Sequence, residues 1–337
     1  MSTASLAAMV ESELATHDFS GVVHISVGDE PVFAAAYGLA DRAAGVANTV
    51  DTRFGTASAT KFLTALGIGA LIDDGRLTMA TRLVDVVSAP LPGIDPQVTI
   101  GQLLNHTSGV FDYLDEDLFP DAEDFRLPIP PARLLRPSDY LPMLTGPQKF
   151  PPGTRFNYCN GGYVMLGLVI EELTGSFHDH LQRRVLTPCG MLRSGFFRLD
   201  QLPPDTAIGY LSDGVRTNTD LLPVVGGPDG GMFTTAGDLQ RLWRCFLAGQ
   251  VISAPLVTAF STMTARSEGD FGYGYGLWIR DDGEHPPVRF IQGSDAGVSI
   301  QSSLYEPRTV LTVAANSTDG AWPVNKAVRK LVQDHLV

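Results

Sequence analysis

Ser58 and Lys61 stand three residues apart in "FGTASATKFLTALGIGALIDDGRL", where a polar, small-residue turn becomes an apolar run. The chain has only four lysines, Lys61, Lys149, Lys326 and Lys330, and this one sits at the mouth of a helix that reads as apolar almost all round. Helical positions i and i+3 share a face, so a helix starting here brings Ser58 Oγ and Lys61 Nζ together. Unpaired N–H groups and the helix dipole favour negative charge developing at the serine. A lysine entering a buried helix is partly desolvated, which lowers its pKa, and a neutral amine can take the serine proton as the oxygen attacks a carbonyl. The structural alternative is an N-cap serine followed by a lysine that snorkels to water. Four lysines and 20 serines in 337 residues give about a quarter of one such pair by chance, so the pair needs context.

That context is "FPPGTRFNYCNGGYVMLG", which places Tyr158-Cys159-Asn160 just before a second apolar helix. Ser-x-x-Lys, then Tyr-x-Asn after a Pro-Gly-Thr lead-in, resembles the penicillin-recognising serine hydrolases: class C β-lactamases, D-Ala-D-Ala carboxypeptidases and their family VIII esterase relatives. "LLNHTSGV", "GGMFTTAGDLQRL" and "YGYGLWI" resemble further segments of that family, in the same order. The resemblance implies a β-lactamase-like α/β fold with Ser58 as nucleophile and Lys61 as its proton acceptor. It implies Tyr158 as a second proton relay, with the lysine stabilising a phenolate-like character. Asn160 would orient the substrate and hold Lys61. Cys159, where relatives often carry serine or alanine, reads as a small packing residue rather than a redox group.

The family's third motif, a Lys/His-x-Gly triplet on an edge strand, is altered. In "RFIQGSDAGVSIQ" the triplet falls on Ile291-Gln292-Gly293, so no cation stands at its first position. The backbone N–H of Ser294, beside Gly293, can still form an oxyanion hole with that of Ser58, because such a hole needs no particular side chain. A donor for a terminal carboxylate is lost. Arg289 could replace it, although two strand residues separate the positions by ~6–7 Å. The implied activity is hydrolysis of esters or amides through an acyl-enzyme, foremost a carboxylesterase with at most weak β-lactamase activity. A true β-lactamase or D-amino-acid peptidase or amidase is the alternative. A degenerate family member that binds a ligand without turnover is the alternative of another class.

The elements that must position these residues follow from patterning. "GVVHISVGDEPVFAAAYG" reads as a hairpin turning at Gly28–Pro31, and "VSIQSSLYEPRTVLTVAAN" as another turning at Glu306-Pro307-Arg308, with a closing helix from Ala321 to Leu336. Strand signals cluster at the chain ends and helical periodicity fills the middle. The expected architecture is therefore an antiparallel sheet built from both ends and flanked by helices, with a mostly helical domain inserted. The boundaries are 1–60 plus 200–337 for the sheet domain and 61–199 for the helical one, with the site in the cleft between them. Helices are expected from Thr99 to Gly109, up to Gly175, and up to Gly249. The Pro-, Asp- and Glu-rich stretch 111–152 reads as a solvated surface excursion, with a lid over the cleft as the alternative.

A net charge of −13 argues against a nucleic-acid partner, since such proteins present a basic face. No apolar run approaches the ~18 residues of a membrane span. The first 20 residues lack a basic, apolar export signal and read as a helix. Cys159, Cys189 and Cys245 are too scattered for a disulfide framework or paired metal ligands, so free thiols and a cytoplasmic setting are expected. His178 and His180 read as a solvated helix face and His106 as a structural histidine. There is no Gly-x-Ser-x-Gly elbow and no Gly-x-Gly-x-x-Gly fingerprint. No cofactor and no metal are expected. The expected partner is a small-molecule ester, amide or β-lactam, with no nucleic acid and no membrane.

Overall fold

The hairpins expected at the two ends meet edge to edge. A computed structural model describes residues 3–337. Helix α1 (Thr3–Leu14) leads into the hairpin β1 (Gly21–Val27) and β2 (Glu30–Tyr37), and the short strands β3 (Leu39–Asp41) and β4 (Val46–Ala47) pair beside it. Strand β5 (Phe54–Gly55) precedes α2 (Thr60–Asp73), α3 (Ile100–Leu104), α4 (Asn160–Thr174) and α5 (Phe177–Leu181). Strand β6 (Phe233–Thr234) returns to pair with β5 and is followed by α6 (Ala236–Leu247) and α7 (Ala254–Phe260). The remaining strands are β7 (Ala265–Arg266), β8 (Phe271–Tyr273), β9 (Trp278–Arg280), β10 (Val288–Asp295), β11 (Val298–Tyr305) and β12 (Thr309–Ala315), before α8 (Ala321–Leu336). The eight-stranded antiparallel sheet runs β2-β1-β12-β11-β10-β9-β8-β7, and Gly21 faces Ala315 where the two ends join.

Side chains alternate across a strand, so the sheet feeds two cores. Val23, Ile25, Leu311 and Val313 pack with α1 and α8 on one face. Val22, Ile300, Leu304 and Ala314 face α2, α4 and α6 on the other. Every residue of α2 from Thr60 to Leu71 is buried, which is why its sequence shows no polar stripe. Trp243 of α6 donates from Nε1 to Ser302 Oγ at 2.9 Å and so satisfies the polar atom it buries. Helix α4 ends at Gly175 in the left-handed region (φ 84°), the expected glycine cap. Among the described residues, no helix is long and apolar enough to cross a membrane.

Four expectations are corrected. Helix α3 stops at Leu104, short of Gly109, because His106 adopts φ 60° and breaks the helical path after the Thr99–Gln102 capping box. The stretch 111–152 is not simply a solvated excursion: Leu134, Tyr140, Met143 and Leu144 are buried in the main core between its acidic residues. His180 is buried and His178 half-buried, with Nε2 atoms 3.0 Å from Gly67 O and 2.9 Å from Gly226 O, so they do not form a solvated face. Cys189 and Cys245 form a disulfide with Cα atoms 5.3 Å apart, leaving Cys159 as the free cysteine. Packing of α6 beside the end of the helical segment brings together cysteines that sequence spacing does not pair. The cysteine argument for a reducing compartment goes with it.

Strand β10 is pressed against the turn that carries Ser58. A Cβ on Gly293 would lie 2.2 Å from Thr56 O and 2.6 Å from Ser58 N, both backbone atoms that cannot swing aside. Gly293→Ala is therefore expected to destabilise the protein by about 1–3 kcal/mol, as overpacking does. Urea unfolding checks this, and an unchanged midpoint would show that the strand and the turn are not in register as described.

Candidate active site

Ser58 lies in a single 3-10 turn, Ala57–Ala59, that runs directly into α2. Threonines fasten this turn to the segment before β6. Thr56 N and Oγ1 both donate to Met232 O at 2.8 Å, Thr60 Oγ1 donates to Ala57 O at 2.8 Å, and Met232 N donates to Thr60 Oγ1 at 3.2 Å. Ala57 is held at φ 42°, unusual for a residue with a Cβ and a mark of strain beside the serine.

Lys61 is almost fully buried and does not snorkel. Its Nζ lies 2.9 Å from Ser58 Oγ, 2.7 Å from Asn160 Oδ1 and 2.7 Å from the main-chain oxygen of Asp229. The nitrogen also sits 5.0 Å from the centroid of the Tyr158 ring. Tyr158 is hydrogen-bonded to Ser58, so Ser58, Lys61, Tyr158 and Asn160 lie together, an arrangement that the family resemblance implies. Burial, and then the charge of Glu116, push the Tyr158 hydroxyl well above its ordinary pKa, against the hydrogen bond with Ser58. These surroundings thus oppose, in the resting site, the phenolate-like character expected of this tyrosine.

The start of α4 is built to aim Asn160. Asp112 accepts from Asn160 N and Gly161 N, both at 2.9 Å, and Cys159 Sγ caps the helix by accepting from Gly162 N at 3.3 Å. Burial pushes the Asp112 carboxyl up to about 7, although three backbone N–H groups pull the other way. Cys159 thus does what a serine would do at an N-cap. Its thiol, driven well up by burial and by Asp112, stays protonated. His106 is buried, and its Nδ1 accepts from Cys159 N at 3.1 Å while its ring packs 4.4 Å from that of Tyr158. Burial, followed by Lys61, holds it well below the usual histidine pKa, so it is a neutral support for the Tyr158 turn.

The β10 edge completes the site. Of β10, only Val288–Phe290 pairs with β9, so the stretch from Ile291 onward leaves that edge to the Ser58 turn. Gly293 gives the close approach and Ser294 is exposed at the cleft. Ile291 is buried in the core. Arg289 is engaged elsewhere, with Nη1 2.9 Å from Glu306 Oε1 and Nε 3.3 Å from Ser261 O, so it does not replace the missing cation.

Two carboxylates in the site carried no motif. Asp229, in the turn "GGPDGG", offers its main-chain oxygen to Lys61, and its Oδ2 accepts from Tyr113 OH at 2.6 Å. Asp295, at the end of β10, shares the cavity with Ser58. Burial raises both, and the Asp229 charge adds to the rise of Asp295, to about 7. Glu116 stands beside them, with Oε1 3.4 Å from Asn160 Nδ2. The cavity they line measures about 640 Å³. Among the described residues, no lysine or arginine lines it, whereas Asp41, Glu116, Asp200, Asp205, Asp229 and Asp295 do.

Comparison with known proteins shows the family of the chain. A family model described as Beta-lactamase matches residues 6–334. A penicillin-binding protein 4 from Amycolatopsis lactamdurans is 34% identical over 231 residues, 63% of this chain and 55% of that relative. A D-aminopeptidase from Brucella anthropi is 30% identical over 210 residues, 58% of this chain and 36% of its own length. The chain thus spans little more than half of the first relative and about a third of the second. The crystal structure of a penicillin-binding protein from Bacillus halodurans superposes with a TM-score of 0.86 at 38% identity, covering 96% of this chain and 98% of that one. With the family model matched across nearly the whole chain, the chain belongs to the Beta-lactamase family.

Proposed function

We propose that the protein is a serine hydrolase that cleaves ester or amide bonds through an acyl-enzyme on Ser58, as a carboxylesterase or amidase with at most weak β-lactam turnover. The observation that carries this is the partner set of Lys61 Nζ. Once it has given up one proton, a lysine amine has two N–H groups and one lone pair. Asn160 Oδ1 and Asp229 O accept the two N–H groups, which leaves the lone pair for Ser58 Oγ. Lys61 takes the Ser58 proton as Oγ bonds to the carbonyl carbon, and the N–H groups of Ser58 and Ser294 receive the oxyanion. The carbon–oxygen or carbon–nitrogen bond to the leaving group then breaks. That group takes a proton from Tyr158 O–H, and Lys61 returns one to the tyrosine. Water enters by the reverse relay and releases the acid.

Charge in the cleft narrows the substrate. A site that greets a terminal carboxylate needs a cation, and here the third motif offers Ile291 while Arg289 is occupied. Glu116, Asp229 and Asp295 around the nucleophile favour a substrate whose acyl part carries an amino group, in keeping with the D-aminopeptidase named among the relatives.

Two outcomes are expected. Ser58→Ala should lose at least about 10³-fold in kcat on a short-chain p-nitrophenyl ester, as removal of a nucleophile does, while a chromogenic cephalosporin is cleaved poorly even by wild type. Equal ester rates in wild type and mutant, or fast cephalosporin turnover, would contradict the reading. The second outcome concerns pH. Asp295 titrates near 7 and is charged above it, so attraction for a cation should strengthen as pH rises from 6 to 8. The ratio of kcat/KM for p-nitrophenyl 4-(trimethylammonio)butanoate to that for its neutral 5,5-dimethylhexanoate isostere should rise across that range. Ionisations of the catalytic groups cancel in this ratio. Asp295→Asn should flatten it, and a flat wild-type ratio would remove the amine from the substrate.

A further inference from the structure

The cavity is far larger than the nucleophile needs. Beyond Ser58 it is walled by Val46 of the small β3–β4 hairpin, by Leu202, Leu221 and Leu222 of the long loop before β6, and by Leu127 of the 111–152 stretch. Its volume of about 640 Å³ falls within the ~300–1,000 Å³ of small-molecule sites. Ser58, Asn160 and Ser294 line it and Tyr158 does not. Because Tyr158 faces the leaving group in the proposed chemistry, the cavity lies on the acyl side of the scissile bond.

The wall that carries Leu127 is fastened across the opening. Glu123 reaches from this stretch to two separate segments of the opposite side. Its Oε1 accepts from Ser212 N at 2.7 Å and from Thr318 Oγ1 at 2.6 Å, and its Oε2 accepts from Ser212 Oγ at 2.8 Å. Charge-assisted bonds of this kind are stronger than neutral ones. Three of them from one carboxylate pin the segment that bears Phe125 and Leu127, both of which line the cavity. Phe125 in turn packs edge-on to Tyr113, with ring centroids 6.4 Å apart, and Tyr113 is hydrogen-bonded to Asp229 beside the nucleophile. The latch and the reacting centre are therefore joined by one continuous wall.

We propose that this cavity is an acyl chamber that selects acyl groups with a long or bulky apolar body beside the amino group that the carboxylates favour, and that Glu123 holds its roof in place. The proposal rests on the assignment of Ser58 as nucleophile and adds the class of acyl group. The apolar walls reward burial of each added methylene, and the Glu123 latch means that the roof need not be ordered by the substrate itself.

The test is a chain-length series of p-nitrophenyl esters, acetate, hexanoate and octanoate, with wild type, Leu222→Trp and Glu123→Ala. In wild type, kcat/KM should rise at least about tenfold from acetate to hexanoate, a modest share of what four buried methylenes can give. Leu222→Trp fills the chamber and should reverse that order, and Glu123→Ala should raise KM for hexanoate more than for acetate. A flat or falling series in wild type overturns the chamber. Binding is measured separately by calorimetry on Ser58→Ala, which should hold the hexanoate at least about tenfold tighter than the acetate. Equal binding overturns the chamber whatever the catalytic result. A binding preference together with Ser58-independent turnover would instead overturn the nucleophile assignment and leave the chamber standing.

Discussion

A lysine nitrogen stripped of water must be supplied with partners by the protein, and three distant parts of the chain meet on the Nζ of Lys61. Helix α2 brings the nitrogen and the turn before it brings Ser58, the first residue of α4 brings an amide oxygen, and the glycine-rich turn before β6 brings a main-chain carbonyl. Loss of any one would leave a buried polar group unpaired, at a cost of about 1–3 kcal/mol. Much of the surrounding structure keeps these three in register. Thr56 and Thr60 tie the Ser58 turn to Met232, Asp112 and Cys159 fix the start of α4, and His106 supports the backbone between Tyr158 and Asn160.

The electrostatics of the cleft follow from this single buried nitrogen. Lys61 lowers the carboxyls of Asp229 and Asp295 against the burial that raises them. One basic group thus stands among Glu116, Asp229 and Asp295, and the imbalance sets which charges the cleft attracts. Tyr158 is driven upward by burial and by Glu116, which favours its protonated form in the resting site. Lys61 and Tyr158 are therefore set apart by their surroundings: the lysine nitrogen has three oxygen partners, while the tyrosine is enclosed by aromatic rings such as Trp278, with centroids 5.8 Å away.

The Ser58–Lys61 pair was legible in the sequence through its spacing at a helix start, and its meeting with Tyr158 and Asn160 only through the family resemblance. The end-built sheet was legible because alternating strands flank clear turns at Gly28 and at Glu306-Pro307-Arg308. What could not be read depends on contacts between segments far apart in the chain. Asp229 acts through a main-chain oxygen, which no side-chain motif encodes. Asp112 and Asp295 matter through what is buried around them. The Cys189–Cys245 pair exists only because α6 packs where it does. The early end of α3 reflects a positive φ at His106 that neighbouring residues do not announce.

The junction of β1 with β12 also shapes how the molecule is made. Gly21 pairs with Ala315, so nearly the whole chain is a loop that must close before the sheet's centre exists. Closure entropy grows only slowly with loop length, but contacts of such separation are slow to form. During synthesis, the α2 and α4 segments can collapse around their apolar residues long before β10 arrives to press Gly293 against the Ser58 turn. Ser58 thus acquires its neighbours last, and a half-made chain carries the residues of the site without the site itself.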